Sequence, residues 1–420
     1  MDNDTARSCS RREFLRGSGI ALASVALAPS ILATSSVAAQ EGTVEKSSTK
    51  IRIGVVGGGF GTQFHWDEHP NCVVEAVSDL KDYRRQALMD TYKCSKAYNS
   101  LEELIKDRNV DAVAVFTGAP DHVRHTVMCM KEGKHVISAV PAATTLEQAE
   151  ELAAIVRKTG LTYMMAETSY WQQFMISARK FWAEKQFGDI YYSESEYHHG
   201  GMEYSLWFDE NKKPTWRWGL PPMIYPTHNL AFVVGLTGER LTDVVCTGWK
   251  DNDPIIKGNT YDNPFWNETA FFTTDKGNSH RASIYWRGAF RGTVGARWYG
   301  SKMSFFSANP NGLGPVVARH DASKTGKDDA GFYVQEAALE NYEQPMWWKT
   351  DALPLSMRHD SGHEGSHTFI ANEFIDALVT GRRPVVDVHE ALAYTVPGII
   401  AHQSALRGGK SMRIPSFDQA

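Results

Sequence analysis

The chain has 420 residues, of which 42% are hydrophobic and 22% are charged, a globular composition with room for two hydrophobic cores. Its formal net charge of −5 argues against a nucleic acid as the main partner, because the phosphate backbone is bound mostly by lysine and arginine. The 12 tryptophans, 16 tyrosines and 19 phenylalanines supply core residues, and such rings also suit a carbohydrate site.

Residues 1–39 have the pattern of a twin-arginine export signal. Arg11 and Arg12 precede a weakly hydrophobic run from Ile20 to Leu32, and Val37–Ala38–Ala39 forms a small-residue cleavage site. The run is too short and too mild for a stable membrane span. We therefore predict an exported, for instance periplasmic, protein in which residues 40–50 form a polar linker.

A β-branched strand at 51–56 runs directly into glycines. In such a sequence the strand turns sharply and the backbone amides at the start of the following helix approach a pyrophosphate. The predicted cofactor-binding residues of this turn are Gly57, Gly59, Phe60, Gly61 and Thr62, with Thr62 in the usual place of the third glycine. A glycine turn without a ligand is the alternative.

An acidic residue supports the cofactor interpretation of the turn. Asp79 ends the next predicted strand, 22 residues after Gly57, where a carboxylate meets the adenosine ribose hydroxyls of a dinucleotide. A carboxylate at that place repels the extra phosphate of NADP. The sequence therefore predicts NAD as the cofactor.

Strands and helices alternate through the first part of the chain and predict a doubly wound parallel sheet, assigned to residues 51–166. Strands are predicted at 51–56, 73–78, 111–116, 134–138 and 162–165, and helices at about 81–92, 100–107, 122–132 and 145–159.

The pattern changes after Glu167, and residues 167–420 are predicted to form an α+β domain with an open, largely antiparallel sheet. Period-two strands are predicted at Ile190–Tyr197, Leu241–Trp249, Asn267–Thr274, Arg281–Trp286 and Val294–Trp298, with helices near 172–185, 366–379 and 388–407. No assignment is made for most of 306–360, which is rich in glycine, proline and aspartate.

At this point the chain resembles the Gfo/Idh/MocA family of sugar-handling, nicotinamide-binding proteins over nearly all of its mature length. The resemblance is carried by the glycine turn, Thr117…Pro120–Asp121–His122, Gly133–Lys134–His135–Val136, Trp216–Arg217 and the closing Gly408–Gly409…Pro415. It implies a Rossmann domain followed by a substrate domain.

Two proton carriers of the family dehydrogenases are replaced in this chain. Val140 stands where the family has the lysine of its Lys-Pro pair, and Ile224 stands where it has an aspartate four residues before a histidine. His228 is the member of the set that remains.

These departures resemble the NAD-dependent glycosidases of family GH109. The matching motifs are Tyr225–Pro226–Thr227–His228, Met164–Met165–Ala166–Glu167, Val140–Pro141 and Gly362–His363–Glu364–Gly365. Ala139 and Thr168 differ from the glutamate and asparagine usual in those glycosidases, so the sugar is left unassigned.

The resemblance to GH109 implies a redox-neutral cleavage of a glycoside. Tightly bound NAD⁺ takes a hydride from C3 of the sugar, a base removes the C2 proton, the C1 group leaves, water adds, and the hydride returns. Tyr225 and His228 are the implied catalytic residues, and their spacing of three places them on one face of a turn or helix.

Further site residues follow from the motifs and from their positions near strand ends. Additional cofactor contacts are expected from Thr117, Pro120, His122, Ala139, Val140, Glu167 and Trp216. Sugar contacts are expected from Tyr170, Tyr197, His199, Arg217 and Thr227. Glu167 either holds the nicotinamide ribose or caps the next helix, and Trp347–Trp348 either lines an aglycone subsite or packs under a loop. No metal site is predicted, because His198 and His199 point to opposite faces of a strand.

Two other functions remain open at this stage, a sugar oxidoreductase and a binding or structural protein that retains the fold. A homo-oligomer is also expected. Phe271–Phe272 and Ile284–Tyr285–Trp286 place apolar residues on both faces of the second sheet, which another copy or residues 306–360 would cover.

Overall fold

The computed structural model describes residues 50–289, 292–307, 313–321, 323 and 325–418. The predicted export signal at 1–39 lies outside these residues, as does the predicted linker at 40–50 except for Lys50.

The first sheet consists of six parallel strands. They are β1 (Ile51–Val56), β2 (Cys72–Ser78), β3 (Ala97–Tyr98), β4 (Ala112–Val115), β5 (His135–Ser138) and β6 (Tyr163–Met165). Their spatial order is β3–β2–β1–β4–β5–β6, so that the glycine turn follows a central strand. Val55 and Val56 of β1 belong to separate buried clusters on the two faces of the sheet. The predicted parallel, doubly wound sheet is thereby confirmed.

Four helices connect these strands: α1 (Asp82–Tyr92), α2 (Leu101–Leu104), α3 (His122–Lys131) and α4 (Leu146–Thr159). Thr145 caps α4 by accepting a hydrogen bond from the backbone N–H of Gln148 at 3.2 Å, and Gly160 ends it in a left-handed conformation. The bounds of α1, α3 and α4 lie within one residue of the predicted ones.

The helix expected directly after the glycine turn is absent from the described structure, and that prediction is wrong. Two 3₁₀ turns, Gly61–Gln63 and Trp66–Glu68, take its place, with His65 between them in a left-handed conformation at φ 55°. Phe64 and Trp66 are fully buried, and the Phe64 ring stacks on Phe116 with centroids 4.3 Å apart. Burying two large rings that are two residues apart favours an irregular path over an α-helix, which would turn them to different sides.

The second sheet has nine strands in the described residues. They are β7 (Ile190–His198), β8 (Leu241–Trp249), β9 (Asn267–Thr274), β10 (Ser279–Tyr285), β11 (Thr293–Gly300), β12 (Met303–Phe306), β13 (Val316–His320), β16 (Ala337–Asn341) and β17 (Met412–Arg413). The spatial order is β16–β13–β12–β11–β7–β10–β9–β8–β17, and β14 (Gly326–Lys327) and β15 (Tyr333–Val334) form a separate hairpin. The β7–β10 pair is parallel and the other neighbouring pairs are antiparallel. The predicted open, largely antiparallel sheet is confirmed.

Five helices accompany this sheet: α5 (Gln173–Ala183), α6 (Met202–Ser205), α7 (Thr227–Thr237), α8 (Gly362–Thr380) and α9 (Val388–Leu406). Helices α7 and α9 pack on one face of the sheet, where Val244, Cys246 and Phe272 are buried. On the opposite face Val245, Trp249 and Phe271 are 40%, 51% and 53% exposed. The described residues between 306 and 360 therefore leave this part of the sheet uncovered.

Within the described part of the chain, every helix is too short or too polar to span a lipid bilayer.

We predict that Gly57→Ala destabilises the protein more than Gly133→Ala. Both glycines have positive φ values, 100° and 76°, but a methyl group on Gly57 would lie 2.2 Å from the Phe116 carbonyl oxygen, whereas one on Gly133 would meet no atom within 4 Å. The left-handed backbone costs about 1–2 kcal/mol in each variant, and the clash raises the cost of Gly57→Ala to roughly 3 kcal/mol or more. Urea unfolding of the two variants measures the difference, and equal midpoints would contradict the prediction.

Candidate functional site

The glycine turn after β1 is closed by backbone bonds and by Asp79. The Gly57 N–H donates to the Ser78 carbonyl at 2.9 Å, and the Gly58 N–H donates to Asp79 Oδ2 at 2.7 Å. Asp79 Oδ1 accepts from the Lys81 N–H at 2.8 Å. Each carboxylate oxygen keeps a second lone pair, so the position of Asp79 remains compatible with ribose hydroxyls.

The turn fits a dinucleotide because glycines, which have no side chain, occupy the positions that a phosphate must approach. Gly57 touches the backbone of Phe116, while Gly59 is exposed at the tip of the turn beside the Arg84 guanidinium. A β-carbon on Gly59 would lie 3.3 Å from Arg84 Nη1. The turn therefore presents bare backbone and a nearby cation to an anionic ligand. Arg84 was not among the predicted site residues.

The loops after β4 and β5 lie on the other side of the cofactor region. The His122 ring donates one N–H to the Pro141 carbonyl at 2.8 Å, and its other nitrogen lies 3.1 Å from the Thr117 carbonyl oxygen. Thr117 Oγ1 lies 2.9 Å from His125 Nδ1, and the Pro120 carbonyl accepts from Gln148 at 3.3 Å. The fully buried His122 side chain thus connects the two loops, because each of its ring nitrogens contacts a backbone oxygen of one loop.

Trp216 and the end of β5 complete this wall. The Trp216 indole packs so closely on Gly118 that a β-carbon there would lie 2.9 Å from its Cδ1 atom. Ala139 and Val140 are 9% and 7% exposed, and Val140 shares a buried apolar cluster with Ile224 and Tyr225. The two positions where family dehydrogenases carry charges are therefore apolar and buried.

Tyr225 is positioned by contacts from β9 and α9. Glu268, fully buried on β9, accepts hydrogen bonds from the Met223 N–H at 2.7 Å and from His402 Nδ1 at 2.8 Å. Gly398 lets α9 approach the same turn, because a β-carbon on it would lie 2.2 Å from the Met223 carbonyl oxygen. The Pro222–Ile224 turn that precedes Tyr225 is therefore fixed from two sides.

His228 lies in the first turn of α7 and contacts a buried carboxylate. Its Nδ1 atom is 2.8 Å from Glu167 Oε1 and 3.3 Å from Ser169 Oγ. Burial raises the pKa of Glu167, but the attraction of His228 and hydrogen bonds from His228, Thr227 and Ser169 outweigh it and lower the pKa below its ordinary value. Because an ionised carboxylate only accepts, Nδ1 of His228 is the donor in this contact, and Nε2 is the ring nitrogen that Glu167 does not hold.

Two tyrosines pack against His228, and an arginine lies beside one of them. Ring centroids are 4.8 Å apart for Tyr197 and His228 and 5.3 Å apart for Tyr225 and His228. Arg217 lies with its Cζ atom 5.4 Å from the Tyr225 centroid and 4.2 Å from that of Trp216. Burial raises the pKa of Tyr197 well above its usual value, so this phenol stays neutral. The structure thus brings the predicted Tyr197, Arg217, Trp216, Tyr225 and His228 together.

Other predicted sugar contacts lie differently. Tyr170 packs against Gly235 of α7 and under Arg179, whose Cζ atom is 3.8 Å from its ring centroid. Among the ring contacts of the described residues, Tyr170 makes none with Tyr225 or His228. Thr227 is fully buried at the start of α7 beside Glu167. His199 stays near the group, with its ring centroid 5.9 Å from that of Tyr197.

His198, by contrast, turns to the other face of β7. Its ring stacks on Tyr285 with centroids 4.3 Å apart, so the two adjacent histidines do not converge.

Glu167 makes two contacts in the structure, one with the backbone of Ser169 and one with His228. Its Oε1 atom accepts from the Ser169 N–H at 2.8 Å, as expected of a cap, and also holds His228. The histidine contact was not predicted, because the two residues are 61 positions apart. A contact with the nicotinamide ribose stays a prediction.

His363 is a site residue that sequence reasoning did not assign, although its Gly-His-Glu-Gly turn was noticed. Residues 363–365 are all left-handed and precede the regular part of α8. His367 Nδ1 donates to the Gln63 carbonyl at 3.0 Å, so its Nε2 accepts from His363 Nδ1 at 2.9 Å. The Nε2 atom of His363 therefore keeps its lone pair. Burial and the neighbouring His228 lower the pKa of His363 to about 4, which makes it neutral at pH 7.

The His363 turn joins the glycine turn to the second half of the chain. Phe60 lies edge-on to His363 and His367, with centroids 5.8 and 5.5 Å away, and Thr62 follows it in the first 3₁₀ turn. Trp348 packs on Gly365, where a β-carbon would lie 2.4 Å from its Cδ1 atom. Trp347 instead binds α5, donating its indole N–H to Ser177 Oγ at 2.9 Å.

Family models match both ends of the described chain. Residues 51–167 match the NAD-binding Rossmann fold of the Gfo/Idh/MocA oxidoreductase family, and residues 318–420 match the C-terminal domain of glycosyl hydrolase family 109. The first match establishes NAD as the cofactor class of this domain, as predicted; the individual contacts of the glycine turn and Asp79 with it stay predictions.

Similar proteins agree with these matches. Glycosyl hydrolase family 109 proteins of Solibacter usitatus and Streptomyces coelicolor are 26% and 23% identical, covering 97% and 87% of this chain and 97% and 83% of their own lengths. Levoglucosan dehydrogenase in complex with NADH has a TM-score of 0.70 at 16% identity, over 88% of this chain and 100% of that one.

A second solved structure shows the same fold. An oxidoreductase of Agrobacterium radiobacter in complex with NAD⁺, L-tartaric acid and magnesium has a TM-score of 0.67 at 14% identity, over 87% of this chain and 98% of that one. The chain therefore combines a match to the NAD-binding domain of the Gfo/Idh/MocA family with a match to the C-terminal domain of glycosyl hydrolase family 109.

Proposed function

We propose that the protein is a glycoside hydrolase that works without net redox change and keeps its NAD bound. The observation that carries the proposal is the exchange of proton carriers within one pocket. Val140 and Ile224 are apolar where family dehydrogenases have lysine and aspartate, while His228 is held by an ionised Glu167 beside Tyr225. When bound, NAD⁺ would accept a hydride from C3 of the sugar and later return it.

The chain's own residues supply the proton transfers. His228 presents Nε2 with its lone pair to the pocket, and Glu167 stabilises the imidazolium that forms when this nitrogen takes a proton. Tyr225 offers a phenolic hydroxyl within the same group of rings. We assign the C3 hydroxyl and C2 protons to these two residues jointly, since a C3 ketone makes the C2 proton acidic enough for an imidazole.

The pocket suits a sugar by its lining. Tyr197 and Tyr225 lie with ring centroids 6.1 Å apart, and Arg217 lies beside Tyr225 with hydrogen-bond donors. The fully buried Trp286 packs against both tyrosines at 6.0 and 6.2 Å and supports them. The relatives named above are glycosyl hydrolase family 109 proteins, and the first structural neighbour acts on levoglucosan, as its name says. We therefore propose glycosides as the substrate class.

A sugar oxidoreductase is the second candidate, favoured by the structural likeness to levoglucosan dehydrogenase. A panel of chromogenic α- and β-glycosides, incubated without added NAD or reductant, separates the two. Release of the chromophore with no lasting NADH signal supports hydrolysis. Accumulation of NADH when NAD⁺ and a free sugar are added in a second incubation, without glycoside cleavage in the first, would establish the oxidoreductase instead.

Export of the folded, NAD-loaded protein also remains our proposal. It rests on Arg11 and Arg12 and on the retained glycine turn, because a redox-neutral cycle needs no exchange with a free NAD pool. Amino-terminal sequencing of protein recovered from the periplasm checks it, and recovery of the uncleaved chain from the cytoplasm alone would refute it.

We predict that Tyr225→Phe lowers kcat for glycoside cleavage by about 10²–10⁴-fold with little effect on KM or bound NAD. The change removes one hydroxyl and little volume, so the pocket keeps its shape. Tyr191→Phe is the matched control, because Tyr191 is 58% exposed on β7. Initial rates and the fluorescence of reduced cofactor are measured. An unchanged kcat for Tyr225→Phe would remove this residue from the mechanism.

We predict a loss of similar size, on the order of 10²-fold or more in kcat, for Glu167→Gln. Glutamine is neutral, so the imidazolium of His228 loses its stabilising charge while the volume is conserved. Glu239→Gln is the control, because Glu239 is also buried but binds Asn278 outside the pocket. Single-turnover rates measure the effect, and wild-type rates for Glu167→Gln would show that the buried carboxylate has only a structural role.

We also propose that the uncovered face of the second sheet joins two copies of the chain. Phe271→Glu is expected to produce a monomer, because it places a charge in the centre of the apolar patch formed with Val245 and Trp249. Leu406→Glu, at the end of α9, changes an equally exposed residue elsewhere. Light scattering at micromolar concentration decides, and a monomeric wild-type protein would contradict the proposal.

A further inference from the structure

Three side chains with metal-binding atoms converge outside the sugar pocket. His65 and Glu68 lie in the irregular segment after the glycine turn, and His359 comes from the loop before α8. One ligand atom of each lies within 4.8 Å of the others. Among the described residues, these three are the His, Cys, Asp or Glu side chains that lie close enough together to share one ion.

Local backbone geometry explains why the first two side chains meet. In a 3₁₀ turn the side chains at i and i+3 eclipse, and His65 caps the turn that ends at Glu68. His65 has a left-handed backbone, a conformation that histidine adopts more readily than most residues other than glycine. As a result His65 Nδ1 lies 2.9 Å from Glu68 Oε1.

The third side chain is delivered by a loop that is anchored to the same turn. Ser356 Oγ donates to the Glu68 carbonyl oxygen at 2.6 Å, and His359 Nε2 lies 2.5 Å from Glu68 Oε2. His359 Nδ1 donates to the Asp360 carbonyl at 3.0 Å, which fixes the ring and directs Nε2 at the carboxylate. Metal-binding histidines are commonly oriented through their second nitrogen in this way.

We propose that His65, Glu68 and His359 form a binding site for one divalent transition-metal ion of the zinc class. Two imidazole nitrogens and one carboxylate are a donor set that zinc accepts, with water in the fourth position. The side chains are 31%, 30% and 37% exposed, which leaves access for the ion and for that water.

The distances fit an ion after a small adjustment. Zinc bonds of about 2.0–2.1 Å in a tetrahedron place neighbouring ligand atoms roughly 3.3–3.4 Å apart. His65 Nδ1 lies 2.9 Å from Glu68 Oε1 and His359 Nε2 lies 2.5 Å from Glu68 Oε2, so each of these two pairs has to open by less than about 1 Å. The ligand atoms of the three residues all lie within 4.8 Å of one another. The His65 and His359 rings are already close, with centroids 4.7 Å apart and an interplanar angle of 68°.

A bound ion would link the cofactor turn to the loop that leads into His363. His359 precedes His363 by four residues, and the segment from Phe60 to Glu68 already contacts α8 through His367. The site therefore has a structural role in this proposal. It holds together two segments that are almost 300 residues apart and that both border the pocket.

The test uses the full-length protein, expressed without a histidine tag and stripped with a chelator. Co²⁺ is titrated first, because four- or five-coordinate cobalt absorbs visible light, and Zn²⁺ binding is then measured by calorimetry. Mg²⁺, which prefers oxygen ligands, serves as the negative control ion. We expect one equivalent of Co²⁺ or Zn²⁺ to bind and to raise the unfolding temperature, and Mg²⁺ to do neither.

Variants assign the ion to the three residues. His359→Ala, His65→Ala and Glu68→Gln should each weaken Zn²⁺ binding by at least about tenfold and abolish the cobalt spectrum. His320→Ala removes an exposed histidine outside the group and should leave both unchanged. Circular dichroism verifies that each variant is folded.

Two results would overturn the proposal. Stripped wild-type protein that binds neither Co²⁺ nor Zn²⁺ would show that the three side chains form only an ion-paired cluster. Binding that survives all three ligand substitutions would place the ion elsewhere on the chain. Neither result depends on glycoside cleavage, so the metal-site proposal is tested independently of the proposed function.

Discussion

The contact between Glu167 and His228 is the interaction on which the site depends. A carboxylate just after the last parallel strand is fully buried, and it accepts a hydrogen bond from an imidazole on α7. Removing one partner of such a pair leaves an uncompensated buried charge and costs about 3–5 kcal/mol. The pair therefore fixes how α7 lies against the first sheet, and the same contact sets which nitrogen of His228 faces the pocket.

The helices and strands predicted from sequence were those that bury one side only, or those whose ends are marked by capping residues or glycines. Strands β8 and β9 alternate buried and exposed residues and were predicted with their observed bounds. Helix α7 was missed because nine of its eleven residues are buried, which removes the amphipathic periodicity that marks a helix. Strands β13 and β16 pair at the sheet edge, where β13 buries only Val317 and β16 buries no residue, so neither shows the alternation of buried apolar residues that marks a strand.

The site could be predicted where a motif is local. The spacing of Tyr225 and His228 within one turn, and that of the glycines and Asp79, hold in the structure. The relay from Gln63 through His367 to His363 joins residues about 300 positions apart, and no pattern in the sequence pairs them. The prediction of a helix after the glycine turn was wrong, because the burial of the Phe64 and Trp66 rings requires a different backbone path.

The paired loss of lysine and aspartate is explained by the charge balance of a buried pocket. Val140 and Ile224 are 7% and 6% exposed, so a charge at either position would require a buried partner. A lone lysine or a lone aspartate at either position would add one more buried charge to a pocket that already holds the ionised Glu167. Replacing both residues by apolar ones removes a positive and a negative charge together. The pocket therefore keeps the buried contact between Glu167 and His228, with Tyr225 beside it, and no unmatched charge is added to it.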